Sequence, residues 1–136
     1  MKFGLFGSAQ AKRGGADIDS AQGFREFIAY NVEAEALGLS STFIVEHHFT
    51  GFGQVSASLN LLTYLAARTS TLRLGTAVLV LPWHNPVLLA EQAATIDLLS
   101  DGRLEFGVGK GYRANEFAGF CIPIAEADAR LRSRSP

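Results

Sequence analysis

Cysteine is almost absent from this sequence, since Cys121 is the only one among 136 residues. A single thiol excludes a disulfide within the chain, which fits a reducing compartment, and it leaves no cysteine pair to hold zinc. An excess of charge of one sign is lacking too, because 12 Lys and Arg residues stand against 13 Asp and Glu residues. A net charge of -1 gives neither nucleic acid nor an anionic membrane an electrostatic reason to bind.

Long hydrophobic runs are missing as well. The most apolar segment, residues 72–81, falls well short of the ~20 residues that a membrane-spanning helix needs. The apolar run after Met1 is too short for a signal peptide. Hydrophobic residues still make up 48% of the chain, which is enough for the core of one compact domain. These features predict a cytoplasmic protein without a membrane partner.

Apolar segments of two kinds alternate along the chain. Continuous apolar runs predict strands near residues 2–6, 42–46, 72–80 and 103–108. Segments with apolar residues at helical spacing predict helices over 21–37, 57–69 and 86–99, the last capped by Asn85. This order predicts an α/β fold, with a parallel sheet and crossover helices on one outer side. Residues 125–136 lose the periodicity and are predicted to form a ragged tail, or to be out-of-frame sequence after a truncation.

Three stretches carry a resemblance to a known family. They are Glu46-His47-His48-Phe49, residues 74–78 leading to Asn85-Pro86, and residues 99–111 followed by Glu116-Phe117. In this order and spacing the chain resembles the bacterial luciferase-like monooxygenases. The resemblance implies parallel (β/α) units of a TIM barrel, and residues 1–136 would supply about four of the eight. Such a half is expected to be poorly stable alone or to self-associate, and to bind FMN weakly or not at all.

The resemblance also implies an activity. Family members use reduced FMN, supplied by a separate flavin reductase, and O2 to oxygenate a small organic substrate. One alternative is a deazaflavin-dependent oxidoreductase of the same fold. Another is a non-catalytic chain, either a truncated product or a flavin-binding relative. A homo-oligomer is expected in each case.

The histidine pair after the second strand gives the first candidate site residues. Adjacent residues of a strand point to opposite sides, so only one of the two rings is expected to face the barrel mouth. By resemblance His47 is the catalytic, proton-handling residue, and its near-neutral pKa range suits that role. His48 is then a second residue of the substrate pocket. Glu46 is predicted to be a structural anchor that orients His47 or pins a loop.

Two further groups of candidates lie at later strand ends. Relatives place a non-prolyl cis peptide or a bulge at Ala77-Val78, beneath the flavin ring. Lys110 stands between two glycines after the fourth strand, and a cation on such a flexible turn suits a phosphate. Phe6 and Trp83, also at strand ends, are predicted to wall the substrate pocket.

Overall fold

The computed structural model describes residues 1–134 as alternating strands and helices. The strands are β1 (Gly4–Gly7), β2 (Ser41–Ile44), β3 (Arg73–Thr76), β4 (Leu79–Val80), β5 (Leu104–Glu105) and β6 (Val108–Gly109). The helices are α1 (Gln22–Ala36), α2 (Ser58–Arg68), α3 (Pro86–Leu99), α4 (Ala114–Gly119) and α5 (Ala127–Arg134). No helix within this described part is both long and apolar enough to cross a bilayer.

All of the strand pairs are parallel. One sheet has the order β1-β2-β3-β5, and β4 pairs with β6 in a second, two-stranded sheet. The predicted α/β alternation with parallel strands is therefore confirmed. The predicted strand over 72–80 is interrupted, because β3 and β4 are separated at Ala77 and Val78. The strand predicted over 103–108 is divided in the same way into β5 and β6.

The two sheets differ by one residue in register. Leu74 of β3 pairs with the residue 30 positions later, whereas Leu79 of β4 pairs with the residue 29 positions later. The segment between β3 and β4 therefore holds one residue more than the segment opposite it. A surplus of this kind is a bulge, which bends a strand and re-aims its side chains. The bulge is the physical reason that the single strand predicted over 72–80 is divided into β3 and β4.

The core lies between the main sheet and helices α1 to α3. Its centre is formed by leucines with no exposed surface, namely Leu62, Leu65, Leu72 and Leu74. The opposite face of the sheet is open, and Phe6 on that face is 71% exposed. Helix α3 begins as predicted, since the Asn85 side chain accepts hydrogen bonds from the N–H groups of Val87 and Leu88. The open face leaves the carboxyl ends of the strands accessible.

The arginine of the Asp101-Gly102-Arg103 turn ties three elements together. Its guanidinium donates to the carbonyl oxygens of Ala66, Thr69, Leu72 and Ser100 at 2.7–3.1 Å and to the Thr69 hydroxyl at 2.9 Å. These acceptors belong to the end of α2, the start of β3 and the turn after α3. The planar fork of Arg103 serves them together, which a lysine cannot do.

Replacing Arg103 with methionine is expected to lower the free energy of unfolding by about 2–3 kcal/mol, because several partly buried carbonyls lose a charged donor. Arg103→Lys is expected to recover only part of the loss. The matched control is Arg130→Met, which breaks a surface pair with Glu126 and should cost about 0.5 kcal/mol or less. Urea unfolding followed by circular dichroism measures all three. Equal losses in Arg103→Met and Arg130→Met would contradict the assignment.

The end of the chain is more regular than the sequence predicted. Residues 127–134 of the predicted ragged tail form helix α5. Ala127 is buried, and Leu131 packs against the main hydrophobic cluster. Two apolar contacts are enough to dock a short helix, although they give too little periodicity to be recognised in a sequence. Residues 125–126 belong to a short 3-10 turn, Ile124–Glu126, and residues 135–136 lie outside the described residues.

Candidate functional site

A cavity of about 400 Å³ opens at the carboxyl ends of the strands. Five of the predicted site residues line it, namely Phe6, His47, Ala77, Val78 and Lys110. A larger cavity of about 750 Å³ lies at the opposite end, against residues such as Lys2, Ser41 and Arg73. In parallel α/β sheets ligands bind at the carboxyl ends of the strands, so the smaller cavity is the candidate site.

His47 is held from two sides. Its backbone N–H donates to the Val55 carbonyl oxygen at 3.0 Å, and its ring Nδ1 lies 3.0 Å from Oε1 of Glu116. The side chain is 15% exposed. His47 lines the cavity together with its neighbours Val45 and Glu46, just after the end of β2. The ring is therefore fixed at the cavity wall and still accessible.

The Ala77–Val78 peptide bond is cis, and it coincides with the bulge between β3 and β4. The backbone here is tied to both neighbouring strands. The N–H of Ala77 donates to the Ile44 carbonyl at 2.8 Å, and that of Leu79 donates to the Gly107 carbonyl at 2.9 Å. A side chain at Gly107 would place its Cβ 2.2 Å from the Thr76 carbonyl oxygen. Close approach of two backbones thus requires glycine at this position.

Lys110 lies at the cavity rim between Gly109 and Gly111. Gly111 has a φ of +76°, and a Cβ there would lie 2.7 Å from Val80. The Lys110 ammonium is 3.1 Å from the Asp128 carboxylate of α5, and both side chains are about half exposed. An exposed pair of this kind is weak, so an anion entering the cavity could compete for the lysine.

The other two predicted pocket residues, His48 and Trp83, are not among the described residues that line this cavity. Their rings lie 5.3 Å apart in an edge-to-face contact, and both pack against Phe120. Phe117 adds a further contact to Trp83. Nε2 of His48 contacts Glu46, whereas Nδ1 of His47 contacts Glu116. The two residues form an aromatic cluster beside the cavity.

Glu46 is an anchor, as predicted, but it does not orient His47. One carboxylate oxygen lies 3.0 Å from Nε2 of His48 and 2.7 Å from Nε2 of His84, and the other accepts the Val80 N–H at 2.7 Å. The Glu46 side chain is 1% exposed. Burial by itself raises the pKa of Glu46, but the hydrogen bonds from His48, His84 and Val80, together with the charge of His84, hold that pKa below its ordinary value.

The carboxylate that contacts His47 belongs to Glu116, for which the sequence predicted no role. Glu116 is the third residue of α4 and is 1% exposed. It is separated from His47 by 69 residues. The Glu116-Phe117 motif was part of the family resemblance, but no rule of sequence spacing relates Glu116 to a residue as distant as His47. Only the fold brings them together.

Parallel βα units with a cavity at the carboxyl ends of the strands are the features of part of a TIM barrel. The model of the luciferase-like monooxygenase family matches residues 1–133. The chain belongs to the luciferase-like monooxygenase family.

Individual relatives agree with this assignment. The chain is 39% identical over 129 residues to the uncharacterized protein y4vJ of Sinorhizobium fredii, covering 95% of this chain and 36% of that protein. The monooxygenase RslO1 of Streptomyces bottropensis superposes with a TM-score of 0.86 at 32% identity, over 97% of this chain and 40% of its own.

A third protein supports the fold alone. It is the oxygenating constituent of 3,6-diketocamphane monooxygenase from Pseudomonas putida, solved in complex with FMN. Its TM-score is 0.85 at 21% identity, over 98% of this chain and 37% of its own. The chain thus spans between a third and two fifths of the length of these three proteins.

Proposed function

We propose that this chain provides part of the site of a flavin-dependent monooxygenase that uses reduced FMN and O2 to oxygenate a small organic substrate. The observation that carries the proposal is the meeting of His47, the Ala77–Val78 backbone and Lys110 around one cavity at the carboxyl ends of parallel strands. The proposal includes a separate reductase as the source of reduced FMN. It also includes self-association, which the exposed Leu88 and Leu98 of α3 would favour.

The residues present fit a flavin. The cavity volume lies within the range of about 300–1,000 Å³ that is typical of small-molecule pockets. Phe6, Val45, Val78 and Val80 supply apolar walls for a planar ring. At Gly109 a Cβ would lie 2.6 Å from the side chain of Val78, so any other residue there would displace Val78 from the cavity wall.

Each element of the site then has a task. Reduced FMN, when bound, supplies the electrons with which O2 is activated. Phe6 and Val78 would contact the flavin ring with their apolar side chains, and Lys110 at the rim would hold the phosphate. His47 would accept a proton at Nε2, the ring nitrogen that is not engaged with Glu116, and then return it.

A comparison of FMN with riboflavin, which lacks the phosphate, tests the proposal. We expect the protein to bind FMN weakly, above the micromolar range, and about tenfold more tightly than riboflavin, because one charged contact contributes roughly 1.5 kcal/mol. Lys110→Met should abolish the preference for FMN, and Asp128→Asn should increase it by freeing the lysine. Flavin fluorescence titration measures each affinity.

Lys12→Met is the matched control, because Lys12 is exposed and does not line this cavity. It should leave both affinities unchanged. Binding of a deazaflavin in place of FMN would favour the deazaflavin-dependent oxidoreductase. Absence of binding to any of these flavins would favour a non-catalytic role.

A further inference from the structure

The two buried carboxylates near the cavity serve different histidines through different ring nitrogens. Oε1 of Glu46 contacts Nε2 of both His48 and His84, whereas Oε1 of Glu116 contacts Nδ1 of His47. Neutral imidazole carries a proton on only one of its nitrogens, and an ionised carboxylate can only accept. The nitrogen that faces each carboxylate must therefore carry the proton.

We propose that Glu116 is the positioning residue for His47: it selects the Nδ1–H tautomer and leaves Nε2 unprotonated for the reaction. The inference rests on the proposed function of the cavity. Among the hydrogen bonds of the described residues, none involves Nε2 of His47. Since the ring lines the cavity, that nitrogen is the one that can exchange a proton with a bound molecule.

Glu116 is itself rigidly held. The same Oε1 accepts a hydrogen bond from the backbone N–H of His48 at 2.9 Å. Because a backbone N–H can only donate, this contact fixes the oxygen as an acceptor. The next residue, Phe117, is 1% exposed and packs against Trp83 with ring centroids 5.4 Å apart. Helix α4 thus presents one oxygen to both the backbone and the ring of the histidine pair. An orienting carboxylate behind a functional histidine commonly fixes its tautomer and raises its basicity.

If Glu116 only held the loop in place, it would favour neither tautomer of His47. The tautomer of His47 is therefore the quantity to measure. Long-range ¹H–¹⁵N correlation of the imidazole rings, in protein labelled at histidine, distinguishes a protonated from an unprotonated ring nitrogen. The chain has three histidines, which makes the spectrum simple to assign by single substitution. At alkaline pH, where the rings are neutral, we expect His47 as the Nδ1–H tautomer. His48 and His84 should show the opposite, Nε2–H tautomer and serve as internal controls.

Glu116→Leu removes the acceptor while keeping a side chain of similar size. It should move His47 from the Nδ1–H tautomer toward the Nε2–H tautomer and leave His48 and His84 unchanged. Glu116→Asp should restore the Nδ1–H signal in part. In flavin-loaded protein, Glu116→Leu should lower kcat by about ten- to a hundredfold with little change in KM.

The spectrum of the unsubstituted protein keeps the proposal falsifiable even if Glu116→Leu fails to fold. His47 observed as the Nε2–H tautomer would overturn the proposal, as would a Glu116→Leu spectrum in which His47 remains Nδ1–H. The measurement needs no flavin. A correct tautomer in a protein that binds no flavin would therefore refute the proposed function and leave the Glu116–His47 assignment intact.

Discussion

Replacing Glu46 with alanine is expected to lower the free energy of unfolding by about 3–5 kcal/mol, as removal of one partner from a buried ionic network does. The carboxylate is 1% exposed and is bound by His48, His84 and the Val80 N–H. Its loss leaves a buried backbone donor without an acceptor next to two imidazoles. Chemical denaturation at neutral pH measures the change.

Two variants separate charge from packing in this result. Glu46→Gln keeps the side-chain size and an acceptor oxygen, so it should cost clearly less than Glu46→Ala. Glu105→Ala removes a carboxylate that is 44% exposed and paired with Arg73, and it should cost about 1 kcal/mol or less. A loss in Glu46→Ala as small as in Glu105→Ala would show that the network contributes little.

The dependence on pH follows from the lowered pKa of Glu46. A carboxyl whose pKa is lower in the folded than in the unfolded chain stabilises the fold fully above its ordinary pKa, which is about 4.3. That contribution fades as the pH falls through the lower, folded value. The difference in stability between the unsubstituted protein and Glu46→Gln should therefore narrow below about pH 4.

Replacing His47 with alanine in the flavin-loaded protein is expected to reduce the oxygenase turnover by about 100- to 10,000-fold, the usual contribution of a positioned acid or base. His47 lines the cavity with a free Nε2, whereas no other histidine lines it among the described residues. Flavin affinity should change little, because the apolar walls and Lys110 remain. Oxygen consumption and product formation, with a reductase present, measure the turnover.

His84→Gln is the control for this prediction. His84 contacts the buried Glu46, but it does not line the candidate site. Its substitution should lower stability and leave the turnover of folded protein within a fewfold of normal. Comparable losses of turnover in His47→Ala and His84→Gln would mean that the network, and not the cavity histidine, limits the reaction.

The fold was predictable because buried parallel strands and amphipathic helices leave different patterns in a sequence. The interruption between β3 and β4 was expected only through the family resemblance, because most positions of residues 72–81 are apolar and show no alternation. In such a run, shifting the register by one residue does not change the hydropathy pattern of the sequence. The docking of α5 was missed because only two of its apolar residues, Ala127 and Leu131, pack inward, which is too few to show a helical period.

The site was predictable in part for the same kind of reason. His47 and His48 could be separated by the period of an extended strand, which places only one of them at the cavity. The other partners of Glu46, His84 and the Val80 N–H, could not be found from the sequence, because they lie 38 and 34 residues away. Glu116 reaches His47 only through tertiary packing, across 69 residues. Local sequence rules predict which residues lie at the ends of strands, but they do not predict the distant partners of buried carboxylates.

Because the segment between β3 and β4 holds one surplus residue, the fold constrains the length of this segment as well as its composition. In β3 the even-numbered Leu74 packs in the core, and the odd-numbered Gly75 pairs with Phe43 on the open side of the sheet. Beyond the bulge Val80 lines the cavity, and Leu79 is buried near Leu59 of α2. Loss of a single codon here would exchange Val80 and Leu79 while leaving the hydropathy of the run almost unchanged. Insertions and deletions, more than substitutions, are therefore the changes that this strand cannot absorb.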